Sequence, residues 1–454
     1  MSLIDTIAQA FPGEKKDLAL TITGAGALPS CFAVSDLAVA AVGVAASKLA
    51  RLATPEDEPP PDVAVDRRLA SLWFDMTLRP TGWQMPSPWD PVAGDYRTAD
   101  GWIRLHTNAP HHRRAALSVL GPASDRKALE PLVAAWKAEE LETAIVAAGG
   151  CAAQMHSLQG WAAHPQGLAV AREPLIDWKD HGAGEAAKRS QTQGRPLEGI
   201  RVLDLTRVLA GPVAGRFLAA YGADVLRIDP PDWDEPGVVP EVTLGKRCAG
   251  LDLKSAEDRL RFENLLAKAD VFLHGYRPGA LDNLGYPQEA RRHINPRLID
   301  VCLNAYGWSG PWSGRRGFDS LVQMSSGIAD HGMKANDADK PVPLPVQALD
   351  HATGYLLAAA VLHALHDRDV SGRVASARLS LARMAHLLST TKLAAPAGSM
   401  APETPDDLDP TIEKTDWGPA RRVRFPLKIG GIDHAWDTPA GQLRAAEPAW
   451  RDRS

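Results

Sequence analysis

The stretch Arg201 to Asp229, RVLDLTRVLAGPVAGRFLAAYGADVLRID, reads as one complete strand, loop, helix and strand, and it constrains the fold more than any other part of the chain. Arg201 to Leu205 is a short β-prone run. Pro212 sits where the first turn of a helix tolerates a missing N–H, and Gly222 sits where a helix ends in a left-handed residue. Between them there is room for a helix of about three turns. Asp224 to Ile228 restarts as a second strand, and consecutive strands joined through a helix run parallel with a right-handed crossover. The loop Thr206 to Gly211 therefore falls at the carboxyl end of a parallel strand, where open α/β sheets bind their ligands.

The same theme continues downstream. Ser255 followed by Asp258 has the spacing of a capping box, the helix it opens runs to Ala269, and Asp270 to Leu273 and Leu298 to Leu303 make two further strands. Residues 197–390 are thus expected to form a doubly wound α/β domain. Its strands end in TRVLAG, DPPDWDEPG, HGYRPG and NAYGWSGPWSGRRG, loops that should converge on one rim of the sheet. They carry Arg207, Arg277, Arg315 and Arg316, with Lys246 and Arg247 in the preceding connection. Such a cluster suits an anionic, phosphate-bearing ligand, the alternative being arginines that are simply solvated.

Upstream, residues 76–179 change character, with tryptophans, histidines and a compact α+β pattern. YRTADGWIRLH reads as a hairpin turning at Asp100 and Gly101, and ALEPLVAAWKAEELETAIVAAGG as a helix ending at Gly149 and Gly150. His106, His111 and His112 lack a carboxylate or cysteine at ligand spacing, so they read as a polar loop and no metal is expected. Residues 180–196 read as a polar linker and residues 391–454 as a C-terminal tail. Residues 1–75 hold two helical patterns that align with a later part of the chain. Pro29 falls opposite Pro343 and Asp36 opposite Asp350, with Arg68 and Leu69 opposite Arg378 and Leu379, an internal repeat with Ser35 and Asp36 as N-cap candidates.

Composition removes several function classes. Among 454 residues, 45% are hydrophobic and 23% charged, enough for a large core, and the net charge of −5 argues against a generic nucleic-acid binder. The four cysteines lie far apart, without metal-ligand spacing. The N-terminus lacks the order of a signal peptide, and the apolar run Leu37 to Ala46 is far below the roughly 18 residues of a membrane span, so a cytoplasmic protein without a membrane partner is expected.

A nicotinamide dinucleotide is the first candidate ligand, because Asp229 closes the second strand where a ribose-binding acid would stand. The glycine turn is wrong for it, since TRVLAGPVAG offers Gly211 and Gly215 with a proline between. Instead, PLEGIRVLDLTRVLAGPVAGRFLAAYGADVLRID, GKRCAGLDLKSAEDR, ADVFLHGYRPGALDNLGY, NPRLIDVCLNAYGWSGPW, RRGFDSLVQMSSGI and ALDHATGYLLAAAVLHAL resemble, in order, the family III CoA-transferases. YRTADGW and the HPQG segment resemble that family's smaller domain. The resemblance implies a Rossmann-like large domain, a small α+β domain, an interlocked homodimer, and coenzyme A or acyl-CoA as substrate rather than prosthetic group. It places Arg207, Val208, Ala210, Lys246, Arg247, Tyr276, Arg277 and Arg316 along the CoA, and the nucleophile at Asp350.

Read from the residues alone, Asp350 is an N-cap, because Pro343 and Pro345 keep the approach extended and His351 to His366 has a helical pattern. The roles are compatible, since a helix N-terminus favours the ionised carboxylate that attacks a carbonyl. The implied reaction moves CoA between an acyl-CoA thioester and a carboxylic acid through an aspartyl anhydride and an aspartyl-CoA thioester. Two alternatives stay open. An acyl-CoA racemase shares the fold, but its proton-exchanging histidine would fall at Phe318, leaving His351 or His331 to substitute. A non-catalytic CoA-binding subunit is the other, motivated by the small domain preceding the large one and by HGY and DPPDWDEPG, which depart from the family's pattern.

Overall fold

Seven strands form the principal sheet: β1 Asp177–Ala183, β2 Arg201–Leu205, β3 Asp224–Asp229, β4 Lys246–Gly250, β5 Val271–His274, β6 Ile299–Asn304 and β7 Arg373–Ser380. The structure is a computed structural model and describes residues 2–13, 18, 20–186, 194–393 and 398–452. In space the order is β4-β3-β2-β5-β6-β7-β1. All pairs are parallel except β1 with β7. The chain therefore winds outward from β2 to β4, then crosses back to continue from β5, so the strand order reverses between β2 and β5. That crevice is the topological switch point of a doubly wound sheet. Every residue of β5 and β6 is buried, as expected where helices cover both faces.

Four helices matter for the site: α1 Val34–Leu52, α2 Ala210–Ala220, α3 Asp319–Ser325 and α4 Ala348–Ser371. Both α1 and α2 pack on α4. Helix α4 is long and apolar enough to cross a membrane, yet its whole apolar window is buried inside the protein, where a helix hydrophobic all round belongs. Small residues permit the crossings; a Cβ on Gly354 would come within 2.4 Å of the Ala210 carbonyl oxygen.

Helix starts depart from the sequence reading for a common reason. The N-cap of α4 is Gln347, not Asp350, and that of α1 is Ala33, so Asp350 and Asp36 both stand in a first turn. Neither cap residue uses its side chain. The Asp350 N–H is instead satisfied by Asp319 from another helix, a tertiary cap that no local pattern announces. Likewise Ser255 makes no capping bond, because Asp258 turns away to accept the Asp252 N–H at 2.8 Å. The helix predicted across residues 128–150 breaks into Arg126–Ala134 and Ala138–Ala147, while the hairpin Gly94–Arg97 with Trp102–Leu105 forms as read.

Strand pairing crosses the boundaries drawn from composition. Residues 180–183, read as linker, belong to edge strand β1; residues 187–193 of that linker lie outside the described residues. The tail is not separate either. Leu427–Ile429 pairs antiparallel with Val63–Asp66, which pairs parallel with Leu20–Thr23, and Gly418–Arg422 pairs with Leu78–Pro80. The sheet of Leu20–Thr23, Val63–Asp66 and Leu427–Ile429 thus repeats the arrangement of β6, β7 and β1. The caps repeat with it, since Ala33 and Asp66 are spaced as Gln347 and Ser380 are, each pair opening the two helices of its copy. This register pairs Arg67 with Leu381 and shifts the sequence alignment of Arg68 with Arg378 by one helical turn.

Candidate active-site cleft

The carboxyl ends of β2, β3, β5 and β6 open into one cleft of about 420 Å³, walled by Leu205, Pro230, Gly275 and Leu303. Arg207, Val208, Ala210, Tyr276, Arg277, Arg316 and Asp350 all line it. The loop after β2 is anchored from beneath. Fully buried Asp204 accepts the Thr206 N–H at 2.9 Å and the Lys246 ammonium at 2.9 Å. Gly211 packs on Thr206 and Gly215 on the Asp204–Lys246 pair, so closely that a Cβ would meet side-chain atoms at 2.2 and 2.8 Å. Those glycines let α2 lie against the loop, which is a packing role and not the pyrophosphate turn of a dinucleotide site.

Val208 has φ 63, left-handed backbone that is rare for a β-branched residue. Its N–H donates to Glu235 at 2.8 Å, Glu235 pairs with Arg227 at 2.5 Å, and Arg227 forks onto Asp229 at 2.8 Å. Asp229, the candidate ribose acid, is thereby engaged in the core. Strain held in place by a buried ionic network is a feature of ligand-binding rims. Arg207 spans the switch point, its guanidinium 4.8 Å from the Trp233 ring and 5.1 Å from the Tyr276 ring, with Nη2 donating to the Tyr276 hydroxyl at 2.9 Å. Arg316 donates to the Gly149 carbonyl at 2.9 Å and Arg315 pairs with Glu142 at 2.8 Å, which seats the smaller unit over the cleft.

Lys246 and Arg247 are elsewhere. Lys246 is buried against Asp204, and Arg247 pairs with Asp224 at 3.0 Å and donates to the Ala449 carbonyl at 2.6 Å. They open β4 rather than close a loop, and because β3 and β4 run parallel they stand toward the amino-terminal edge of the sheet. Neither lines the cleft, unlike the other residues expected along the CoA.

Asp350 is 7% exposed, and its N–H donates to Asp319 Oδ2 at 2.9 Å. Asp319 also accepts from Gln323 Nε2, and Gln323 Oε1 accepts the Leu344 N–H at 2.7 Å, so the approach to α4 is pinned to α3. Burial, and then the neighbouring Asp319, push the Asp350 carboxyl well above the usual carboxylate range. Burial likewise pushes Asp319 up to about 6, against the hydrogen bonds from Gln323 and the Asp350 N–H. Asp36, in the equivalent place, differs in kind. Its carboxylate is paired with Arg67 at 2.7 Å, whereas the second copy has Leu381 at the position of Arg67, and Leu381 lines the cleft.

Several site residues escaped the sequence reading. Asp319 is the last residue of the GFD motif, yet only its neighbour Phe318 drew attention. His111 and His112 reach the cleft, and His106 stacks on Phe318 with ring centroids 3.7 Å apart. Burial lowers His112 to about 3 and His106 well below the usual histidine range, so both are neutral. Among the described residues no cluster of three or more His, Cys, Asp or Glu could hold a metal ion. His351 stacks on Phe74 and His331 lies against Phe32; neither is a lining residue of the cleft.

Fold and cleft together define a doubly wound α/β protein with a ligand cleft at its switch point, and residues 197–420, just under half of the chain, match the family model of CoA-transferase family III. Among similar proteins, the probable fatty acyl-CoA transferase of Mycobacterium tuberculosis is 36% identical over 192 residues, covering 39% of this chain and 48% of that protein. Succinyl-CoA:glutarate CoA-transferase of Mus musculus is 34% identical over 220 residues, covering 44% of this chain and 50% of that protein. A crystal structure of the mycobacterial protein aligns over 43% of this chain and 55% of its own, at 34% identity and a TM-score of 0.39. The chain spans about half the length of these curated relatives.

Proposed function

We propose that the protein transfers CoA between an acyl-CoA thioester and a carboxylic acid, with Asp350 as nucleophile. The observation that carries this reading is a buried carboxyl lining the same cleft as the aromatic-flanked Arg207 and the rim residues Tyr276, Arg277 and Arg316. The names of the similar proteins, which are CoA-transferases, point the same way. The ionised Asp350 carboxylate attacks the thioester carbonyl, the C–S bond breaks, and CoA thiolate leaves an aspartyl mixed anhydride. The thiolate then attacks the aspartyl carbonyl, releasing the donor carboxylate and forming aspartyl-CoA. An acceptor carboxylate attacks that thioester, and the returning thiolate takes the acceptor acyl group, restoring Asp350. No net proton, oxidant or reductant is consumed. The raised proton affinity of Asp350 fits the task, because the more basic carboxylate is the stronger nucleophile once ionised.

Asp350→Asn is expected to abolish transfer while Asp36→Asn keeps it, measured by mass spectrometry of CoA exchange across a panel of thioesters and acids. Trapping with hydroxylamine should leave the modified aspartate at position 350. Label at Asp36, or full activity in Asp350→Asn, would overturn the assignment; a protein that binds CoA but yields neither label nor turnover would be a binding subunit.

A further inference from the structure

Beside the cleft lies a second cavity of about 210 Å³, between residues 87–90 and 106–109 of the smaller unit and residues 233–238 of the loop after β3. It meets the cleft at Val208, Trp233 and Phe318, which wall both. Phe318 directly precedes Asp319, the residue that fixes Asp350, so the cavity adjoins the reacting end of the cleft. Resting on the transferase reading above, we propose that this cavity is the acyl subsite and that it takes aromatic or branched apolar acids while excluding acids with a second carboxylate.

Three observations lead there. The walls are largely apolar, with Trp89, Trp233 and Phe318 as the large faces, and the volume equals roughly seven waters, enough for one aromatic ring on a short linker. The charge is of one sign. Asp90, Asp234 and Glu235 border the cavity, and among the described residues no lysine or arginine lines it. Asp90 is held by Thr107 Oγ1 at 2.8 Å and Arg113 at 3.4 Å, and Glu235 by the Val208 N–H at 2.8 Å and Arg227 at 2.5 Å, so both arginines are already committed to these carboxylates. A substrate carboxylate placed there would lose its water beside three carboxylates and find no lining lysine or arginine to pair with, which disfavours it. Finally, His106 is 6% exposed, is held neutral by burial, and has an Nδ1 with no hydrogen-bond partner among the described residues. A neutral imidazole provides one hydrogen bond to a carbonyl or hydroxyl on the guest and no countercharge for a second acid group.

The test is calorimetry on the CoA-saturated protein with phenylacetate and glutarate as probes, repeated on Val238→Trp, a position that lines this cavity and not the cleft. Phenylacetate should bind at least tenfold more tightly than glutarate, and Val238→Trp should remove that binding while leaving CoA affinity unchanged. Glutarate binding as tightly as phenylacetate in the parent protein would overturn the proposal, as would phenylacetate binding that survives a folded Val238→Trp. Failure of the transferase reading shows separately, as an absence of label at Asp350 with every thioester while the probe selectivity stands.

Discussion

Asp319→Asn tests whether one carboxylate governs another. Asp319 is raised from 3.8 to about 6, worth about 3 kcal/mol at pH values above that range. Because the folded-state value is the higher one, this contribution to stability is fully present below about pH 3.8 and is lost as pH rises through about 6. Asparagine does not titrate, so the variant should lack that loss. Its amide has a single oxygen, however, and either the Asp350 N–H or the Gln323 amide must give up an acceptor, a pH-independent cost of about 1.5–3 kcal/mol. Urea unfolding at a series of pH values should therefore show the parent losing about 2 kcal/mol more than the variant between pH 4 and pH 7. Removing a like charge also lowers the proton affinity of Asp350, so the acid limb of kcat/KM should move to lower pH in the variant. An acid limb that stays in place or moves upward, with the stability difference equally flat, would refute the claim that Asp319 acts on Asp350.

Leu381→Arg should pair with Asp350 as Arg67 pairs with Asp36, moving the acid limb to lower pH and cutting transfer at least about tenfold through a neutralised nucleophile; undiminished rates would contradict the equivalence of the two copies. Arg207→Ala should weaken CoA binding by about tenfold or more, the value of a charge-assisted contact of about 1.5–3 kcal/mol, whereas Arg247→Ala should leave it unchanged by calorimetry. Glu241→Ala removes the acceptor of Thr77 Oγ1 at 2.7 Å, of the Thr77 and Leu78 N–H groups at 3.0 Å, and of Arg216 and Arg422. Arg216 would be left buried without a countercharge and Arg422 with Glu413 alone, so chemical denaturation should register a loss of about 3–5 kcal/mol.

What could be read from the sequence was whatever is local. Strand, helix and loop alternation from Arg201 to Leu303 is written in periodicity and punctuation, and it put the loops of Arg207, Tyr276 and Arg316 on one rim. The Lys246–Arg247 pair was misplaced because a basic pair looks the same whether it closes a loop or opens a strand, and only strand direction tells them apart. Asp350 as an N-cap failed similarly, since its cap comes from Asp319 across the fold. His106 and Phe318 are 212 positions apart in the printed sequence and touch only because the smaller unit lies over the cleft. No pattern within a window of residues reports such a contact.

The strand Leu427–Ile429, closing on Val63–Asp66, has a consequence for how the chain is made. Trp73 donates its indole N–H to the Val423 carbonyl, 350 residues later, so this sheet closes long after its first two strands are synthesised. At a translation rate of about 5–20 residues per second, the early segment waits roughly 20–70 s for its partner. Helix α1, buried along nearly its whole length in the finished protein, spends that interval without the α4 surface that will cover it. A nascent chain in this condition is a substrate for ribosome-proximal chaperones, and the yield of soluble protein should depend on them more than the finished fold's stability would suggest.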